Sequence, residues 1–412
     1  MRLNKAQWCW LLYDPGNAAF ALLVRAVFAP LFFMLCVRGI WNEGEAAGKW
    51  GLLCSGAGVA AGFFSLYCGA LADAAVRRKL ALAISTLLGI FSTVALAMVN
   101  DYRWVMIWYF LALAAFMLSN SFYDSLLISV AEPEKFSYLS TLAYGFGYLG
   151  GLLPFLAMLG LGGLLKDSAL TSRIAFVTAA VWWGIFMLPL LLVVKEQGVP
   201  QKNVRFYAGF AQLVHTLKDI LHHRNVLIFL IAYFLYIDGV STILMMAAPI
   251  SIDIGMSEYA LMGTILGLQI IGFPATVAAG KLAQRFGARR IVYVELALYV
   301  ITAALIGVLS LAESASAKLA LFLTAALLIA LAQGGIQSLS RSLFGLLIPA
   351  EKAAEFFGVY NIFGKFTTVL GPILVYAASQ WWQRSEYGIV MLIVPFLLGG
   401  FMLGKVKFPA GK

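Results

Sequence analysis

Apolar residues in this chain run on in long blocks rather than alternating with polar ones. Twelve such stretches lie at about 8–37, 50–72, 79–99, 104–130, 138–165, 173–194, 226–250, 259–282, 291–311, 319–347, 356–380 and 388–404. Each approaches the ~20 residues that a helix needs to cross a bilayer. Most connections are short, so the pattern predicts an all-α membrane protein of twelve transmembrane helices without a sizeable soluble domain. Two six-helix bundles are expected, over 1–194 and 226–412, joined by a linker at 195–225. Within the linker, Phe206, Phe210, Leu213, Leu217 and Leu221 recur at helical spacing beside His215, Lys218, His222 and His223. That spacing predicts an amphipathic helix suited to the inner leaflet or to clamping the halves.

The first apolar stretch carries charge where lipid would reject it. Asp14 lies about two turns inside and Arg25 near the middle, and a charge at the centre of a membrane helix costs about 3 kcal/mol on insertion scales. Eleven residues is close to three α-helical turns, so Asp14 and Arg25 are expected on one face, about 16 Å apart along the axis. Asn17 joins that face. Such a stripe predicts a bundle interior or a wet cavity rather than lipid.

Other stretches repeat the theme. Asp238, with Ser241 and Thr242 one turn on, stands inside the seventh. Asn120 and Asp124 are four residues apart in the fourth, and Gln333, Gln337 and Arg341 are spaced four and four in the tenth. Lys365 shares a face with Asn361 and Thr368 in the eleventh, as a cavity residue or as a side chain snorkelling to the interface. Tyr144 and Tyr148 sit among Gly145, Gly147, Gly150 and Gly151 in the fifth, a pattern for close helix packing with the tyrosines also within reach of a cavity.

Composition agrees with this picture. The chain is 62% hydrophobic and 12% charged, whereas soluble domains average roughly half apolar and a quarter charged. Its net charge of +10 invites a nucleic-acid reading, but the cations come in short clusters between apolar runs. Nineteen Lys and Arg residues, among them Arg2, Lys5, Arg77, Arg78, Lys79, Lys281, Arg285, Arg289, Arg290, Lys405 and Lys407, fall on one side, and seven on the other. That asymmetry predicts cytoplasmic termini and no nucleic-acid partner. The amino terminus imitates a signal peptide, yet Asp14 and Pro15 interrupt its apolar core, so an uncleaved first span is expected. Cys9, Cys36, Cys54 and Cys68 lack metal spacing. They are expected to be free thiols, with a Cys36–Cys54 disulfide as the alternative. The histidines likewise have no companion ligands at metal spacing. No P-loop, GxSxG, HExxH or paired CxxC occurs, so neither an enzyme nor a cofactor is expected.

One turn is written twice. Gly69-Ala-Leu-Ala-Asp73-Ala-Ala-Val-Arg77-Arg78 ends the second stretch, and Gly280-Lys-Leu-Ala-Gln284-Arg285-Phe-Gly287-Ala-Arg289-Arg290 ends the eighth, 211 residues on. A small residue lets helices approach, and the acid or amide with its arginines can bridge helix ends. Glu295, one turn beyond Arg290, is expected as a gate or a helix-end partner.

These turns resemble the GxxxD(R/K)xGR(R/K) loop of the major facilitator superfamily, which implies two six-helix bundles rocking about a midplane site. The first copy has Ala74 and Val76 where the family prefers a basic residue and Gly, and the second has Gln284 for the acid. FLYIDGVST (234–242), GGIQSLSRSLFGLLIP (334–349) and EFFGVYNIFGKFTTVLGP (355–372) resemble the branch that includes the fungal vacuolar amino-acid effluxers. LYDPGNAAF and STLAYGFGYLGG are similar to that branch's first- and fifth-helix patterns. Pro15, Gly16 and Asp124 depart from it, and an extra acid in the fourth span changes the charge of any cavity.

The expectation is therefore a secondary active transporter of a small polar organic solute, an amino acid or short peptide, coupled to protons. Arg25, Arg341 and Lys365 would meet a carboxylate or phosphate. Asp14, Asp124 and Asp238 would hold an ammonium group or a proton, with Asn17, Asn120, Gln333, Gln337 and Asn361 around them. Gly69, Asp73, Arg77, Arg78, Gly280, Gln284, Arg285, Gly287, Arg289 and Glu295 would gate. Two alternatives stay open: a lipid or lysophospholipid flippase on the same fold, and a non-transporting sensor or assembly factor. A monomer in a bacterial inner membrane, in contact with lipid, completes the expectation.

Overall fold

The computed structural model describes residues 3–41, 43–196, 222–253, 255–256, 258–365, 374 and 386–408. The amphipathic stretch expected at 206–221 and the end of the eleventh stretch, Thr368 included, lie outside them. Ten long helices run as α1 (Lys5–Cys36), α2 (Glu43–Ala75), α3 (Arg78–Met98), α4 (Tyr102–Val130), α5 (Phe136–Leu165), α6 (Ser168–Val193), α7 (Arg224–Asp253), α8 (Glu258–Phe286), α9 (Ala288–Val308) and α10 (Ala315–Gly345). They are followed by α11, described over Ala353–Lys365, and α12 (Tyr387–Lys405). Among the described residues eleven helices are long and apolar enough to cross a membrane. The four cysteines are free.

The chain forms two compact units that do not follow the halves of the sequence. The first comprises Met1–Glu132, Phe146–Leu217 and Pro349–Ile362. The second comprises Pro133–Gly145, Lys218–Ile348 and Phe363–Lys412. The start of α5 thus packs with the later helices, and the start of α11 with the earlier ones.

Small residues make this exchange possible, and they do so twice. In the first unit Gly69 of α2 meets the backbone of Ala354 and Glu355, where an added Cβ would sit 3.0 Å from Ala354, and Gly358 of α11 meets Ser65. In the second unit Gly280 of α8 takes Thr141 of α5 against its bare Cα, and Gly145 of α5 lies against Val277 and Phe273. Helices without side chains at the seam approach closely enough for backbone contact.

Inside the first unit an aromatic column registers α1 on α4 and α6. Tyr123 lies between Trp10 (ring centroids 4.6 Å) and Tyr13 (4.7 Å), and Trp10 Nε1 donates to the Tyr123 carbonyl at 3.1 Å. Phe20 stacks on Phe116 at 4.7 Å and meets Trp183 at 5.1 Å. In the second unit Tyr299 of α9 stacks on Phe396 of α12 at 5.6 Å.

The repeated turns differ in backbone as well as in sequence. Gly287 sits at φ 92°, which costs glycine nothing, while the matching Val76 sits at φ 51°. A β-branched residue there loses roughly 1–2 kcal/mol to its own Cβ. Val76→Gly is therefore expected to stabilise the protein by about 1 kcal/mol, the glycine's greater chain entropy offsetting part of the gain. A thermal midpoint in detergent that stays level or falls would show that Val76 is not strained.

Candidate functional site

The first unit gathers the acids and amides of three helices. Asp14 and Asn17 of α1 are 8% and 9% exposed, and Asp124 of α4 is 6% exposed. Asn17 Nδ2 donates to Asn120 Oδ1 at 2.6 Å. Asn361 Nδ2, from α11, donates to Asp124 Oδ2 at 2.9 Å and to the Phe357 carbonyl at 3.1 Å. Hydrogen bonds to a charged group contribute about 1.5–3 kcal/mol, so the Asn361–Asp124 contact holds α11 on α4 with some force. Asn17 Oδ1 has no partner among the described residues, which leaves an acceptor turned inward. The Asn17–Asn120 contact puts these two residues on the facing sides of α1 and α4, with Asp14 and Asp124 about one turn away on their own helices.

Arg25 departs from the simple expectation. Residues Phe20–Phe28 of α1 form a π-helix, closed by the Ala29 amide donating to the Val24 carbonyl. Pro30 follows and has no N–H to give, so the ladder entering it is rearranged. A π turn takes about one residue more than an α turn, and the register that would set Arg25 above Asp14 is lost. The Arg25 side chain is exposed. π-helical segments recur at functional sites because they break regular packing.

The second unit builds a basic centre. Arg341 of α10, 4% exposed, donates from Nε to Ser140 Oγ at 2.8 Å and from a terminal nitrogen to the Ser140 carbonyl at 3.0 Å. Its guanidinium lies 5.2 Å from the Tyr144 ring centroid. Tyr144 donates to Gln337 Oε1 at 2.6 Å, and Ser140 Oγ donates to the Ser338 carbonyl at 2.7 Å. Gln333, one turn before Gln337, is half-buried. Asp238 of α7 is fully buried, with Thr242 donating to its backbone carbonyl at 2.8 Å. Tyr236 pairs with Ser340 at 2.6 Å. Lys365 ends the described part of α11, and its side chain lies outside the described residues.

Ser140 is the residue that the polar pattern passes over. Its signal was present: Ser137, Ser140, Thr141 and Tyr144 recur at 3, 4 and 7 along one face of α5. Ser137 and Ser342 also pair, at 3.0 Å.

The two turns are not equivalent chemically. Asp73 holds Arg78 at 2.5 Å and accepts the Ala354 and Glu355 amides at 3.2 and 3.0 Å. A carboxylate at the start of α11 satisfies amides that have no helical partner and meets the positive end of the helix dipole. Arg78 also reaches the Ala350 carbonyl at 2.5 Å. Glu196 accepts the Arg78 and Lys79 amides, both at 2.8 Å, and so caps α3. Arg77 is exposed. In the second turn Gln284, Arg285 and Arg290 are exposed, while Arg289 donates to the Gly404 carbonyl at 2.6 Å at the end of α12. Glu295 is placed away from the turn, buried among α8, α9 and α10.

An all-helical membrane chain with a doubled glycine turn and charged centres inside both units is a transporter of the major facilitator superfamily. Solved structures agree on the fold: the proton:xylose symporter XylE superposes with a TM-score of 0.79 at 13% identity, covering 99% of this chain and 96% of its own. The human organic anion transporter MFSD10 does so with a TM-score of 0.71 at 16% identity, over 97% and 98% of the two chains.

Within that superfamily the chain belongs to the family described as vacuole effluxer Atg22 like, whose model matches residues 128–412. The MFS-type transporter YxiO of Bacillus subtilis is 30% identical over 98% of this chain and 95% of its own. Autophagy-related protein 22 of Saccharomyces cerevisiae is 25% identical over 76% of this chain and 69% of its own. The protein is thus a multi-pass integral membrane transporter, and its relatives are transporters rather than enzymes.

Proposed function

We propose that the chain is a secondary active transporter of a small zwitterionic solute, an amino acid or short peptide, driven by protons and working in the direction of export. It would span a bacterial cytoplasmic membrane twelve times as a monomer, with both termini inside. The observation that carries this reading is the presence of two buried acids and a cation within one unit. Asp124 accepts from Asn361, Asn17 donates to Asn120 one turn from Asp14, and the exposed Arg25 lies along the same helix as Asp14. Acids of this kind suit an ammonium group, and the cation suits a carboxylate. Arg341, tethered to Ser140, supplies a second cationic centre. The direction follows the effluxer description of the family, and the source membrane follows the Bacillus relative.

The test is reconstitution into proteoliposomes with an imposed pH gradient. Accumulation of an amino acid or peptide that stops in Asp14→Asn is the expected result. Translocation of a fluorescent lysophospholipid without solute uptake would replace this reading with the flippase. Full transport in Asp14→Asn would remove that residue from the site.

A further inference from the structure

Glu295 stands on α9, about 10 Å or two turns in from Ala288. It is 3% exposed, and among the described residues neither carboxylate oxygen has a hydrogen-bond partner. Its Oε1 occupies the space beside Gly335 of α10 that a Cβ at that position would fill, and Ala279 of α8 borders the same space. Glycine at 335 is what makes the seat.

The charged and titratable groups on the helices around it are engaged or placed elsewhere. On α10, Arg341 is bonded to Ser140, and Lys318 lies in the first turn, far from Gly335. On α8, Lys281 and Arg285 are exposed. On α9 itself, Arg289 reaches the end of α12, Arg290 is exposed, Tyr293 donates to the Gly400 carbonyl, and Tyr299, one turn on and fully buried, stacks on Phe396 of α12. On α12, Lys405 lies over the Phe401 ring, and Tyr387 is at the opposite end of the helix. On α7, Arg224 is exposed and Asp238 is buried. On the same helix Tyr236 is fully buried and shares its hydroxyl with Ser340.

A carboxylate removed from water without a cation or donor is costly, by several kcal/mol even after relaxation, and the neutral acid costs much less. We propose that Glu295 is a proton-binding site of this transporter, loaded in the conformation described and emptied when its seat between α8, α9 and α10 opens to water. The cargo candidates lie on α1, α4, α7, α10 and α11, so this proton would travel on a helix that holds none of them. Loading converts the carboxylate to the acid and release reverses it. The proposal rests on the reading of the chain as a gradient-driven transporter, and it also has a test of its own.

Glu295→Gln imitates the neutral acid in shape. In proteoliposomes it is expected to keep solute exchange at equal pH and to lose accumulation driven by a pH gradient. In purified protein, infrared difference spectra are expected to show a carboxylic-acid C=O stretch at neutral pH that disappears in Glu295→Gln. Gradient-driven accumulation by Glu295→Gln at the wild-type level would overturn the site, as would the same acid band in variant and wild type. If the wild-type protein moved no amino acid or peptide, the transport reading would fail, and the infrared difference alone would decide Glu295.

Discussion

Asp73→Ala is expected to loosen the start of α11 from the first unit. The carboxylate is buried, and its removal strands Arg78, itself buried, together with the Ala354 and Glu355 amides. Breaking one side of a buried pair costs about 3–5 kcal/mol. A loss of about 3 kcal/mol moves an equilibrium roughly a hundredfold. A cysteine introduced by Ala354→Cys, at a position with no exposure, reports this directly. Its labelling by a maleimide should rise by about that factor when Asp73→Ala is added. Asp73→Asn keeps one acceptor and should fall between the two. Unchanged labelling in Asp73→Ala would mean that glycine packing at Gly69 and Gly358 holds α11 without the carboxylate.

The second large effect belongs to Arg341. Arg341→Gln removes a buried cation from the second unit and should abolish transport, while the thermal midpoint falls less than in Asp73→Ala. Ser140 Oγ retains its bond to the Ser338 carbonyl, so α5 and α10 stay linked. Arg341→Lys should also fail. A lysine is a compact point charge and does not span the hydroxyl and the carbonyl of one serine as the guanidinium does. Gradient-driven uptake at the wild-type rate in Arg341→Gln would take this residue out of the proposed mechanism.

Much of the architecture was legible because the bilayer writes it plainly. Apolar stretches of spanning length show the helices, and the 211-residue repeat of the glycine turn shows the doubling. The clusters within single helices were legible too, since Asp14 with Asn17 and Asn120 with Asp124 obey helical spacing. What stayed hidden depends on partners far along the chain. Asn361 and Asp124 are 237 residues apart, and Arg341 and Ser140 are 201 apart. Ser140 reads in sequence like any serine bonded back to its own helix, as Ser85 and Ser172 are. The π-helical turn at Phe20–Phe28 is hidden for another reason: apart from Arg25 its residues are as apolar as those of any α-helix, and hydrophobic spacing alone does not mark the wider turn. Glu295 shows the same limit, because Arg290 is near it in sequence yet exposed at the helix start.

The bare seams at Gly69, Gly145, Gly280 and Gly358 bear on how fast such a molecule can cycle. Surfaces that interdigitate must change rotamers before they part, and each change adds to the activation barrier. A side chain or backbone moving over a bare Cα has little friction of that kind. Turnover would then be timed by the few polar clasps that must let go, with the Asp73 carboxylate foremost, and would respond to temperature as their rupture does.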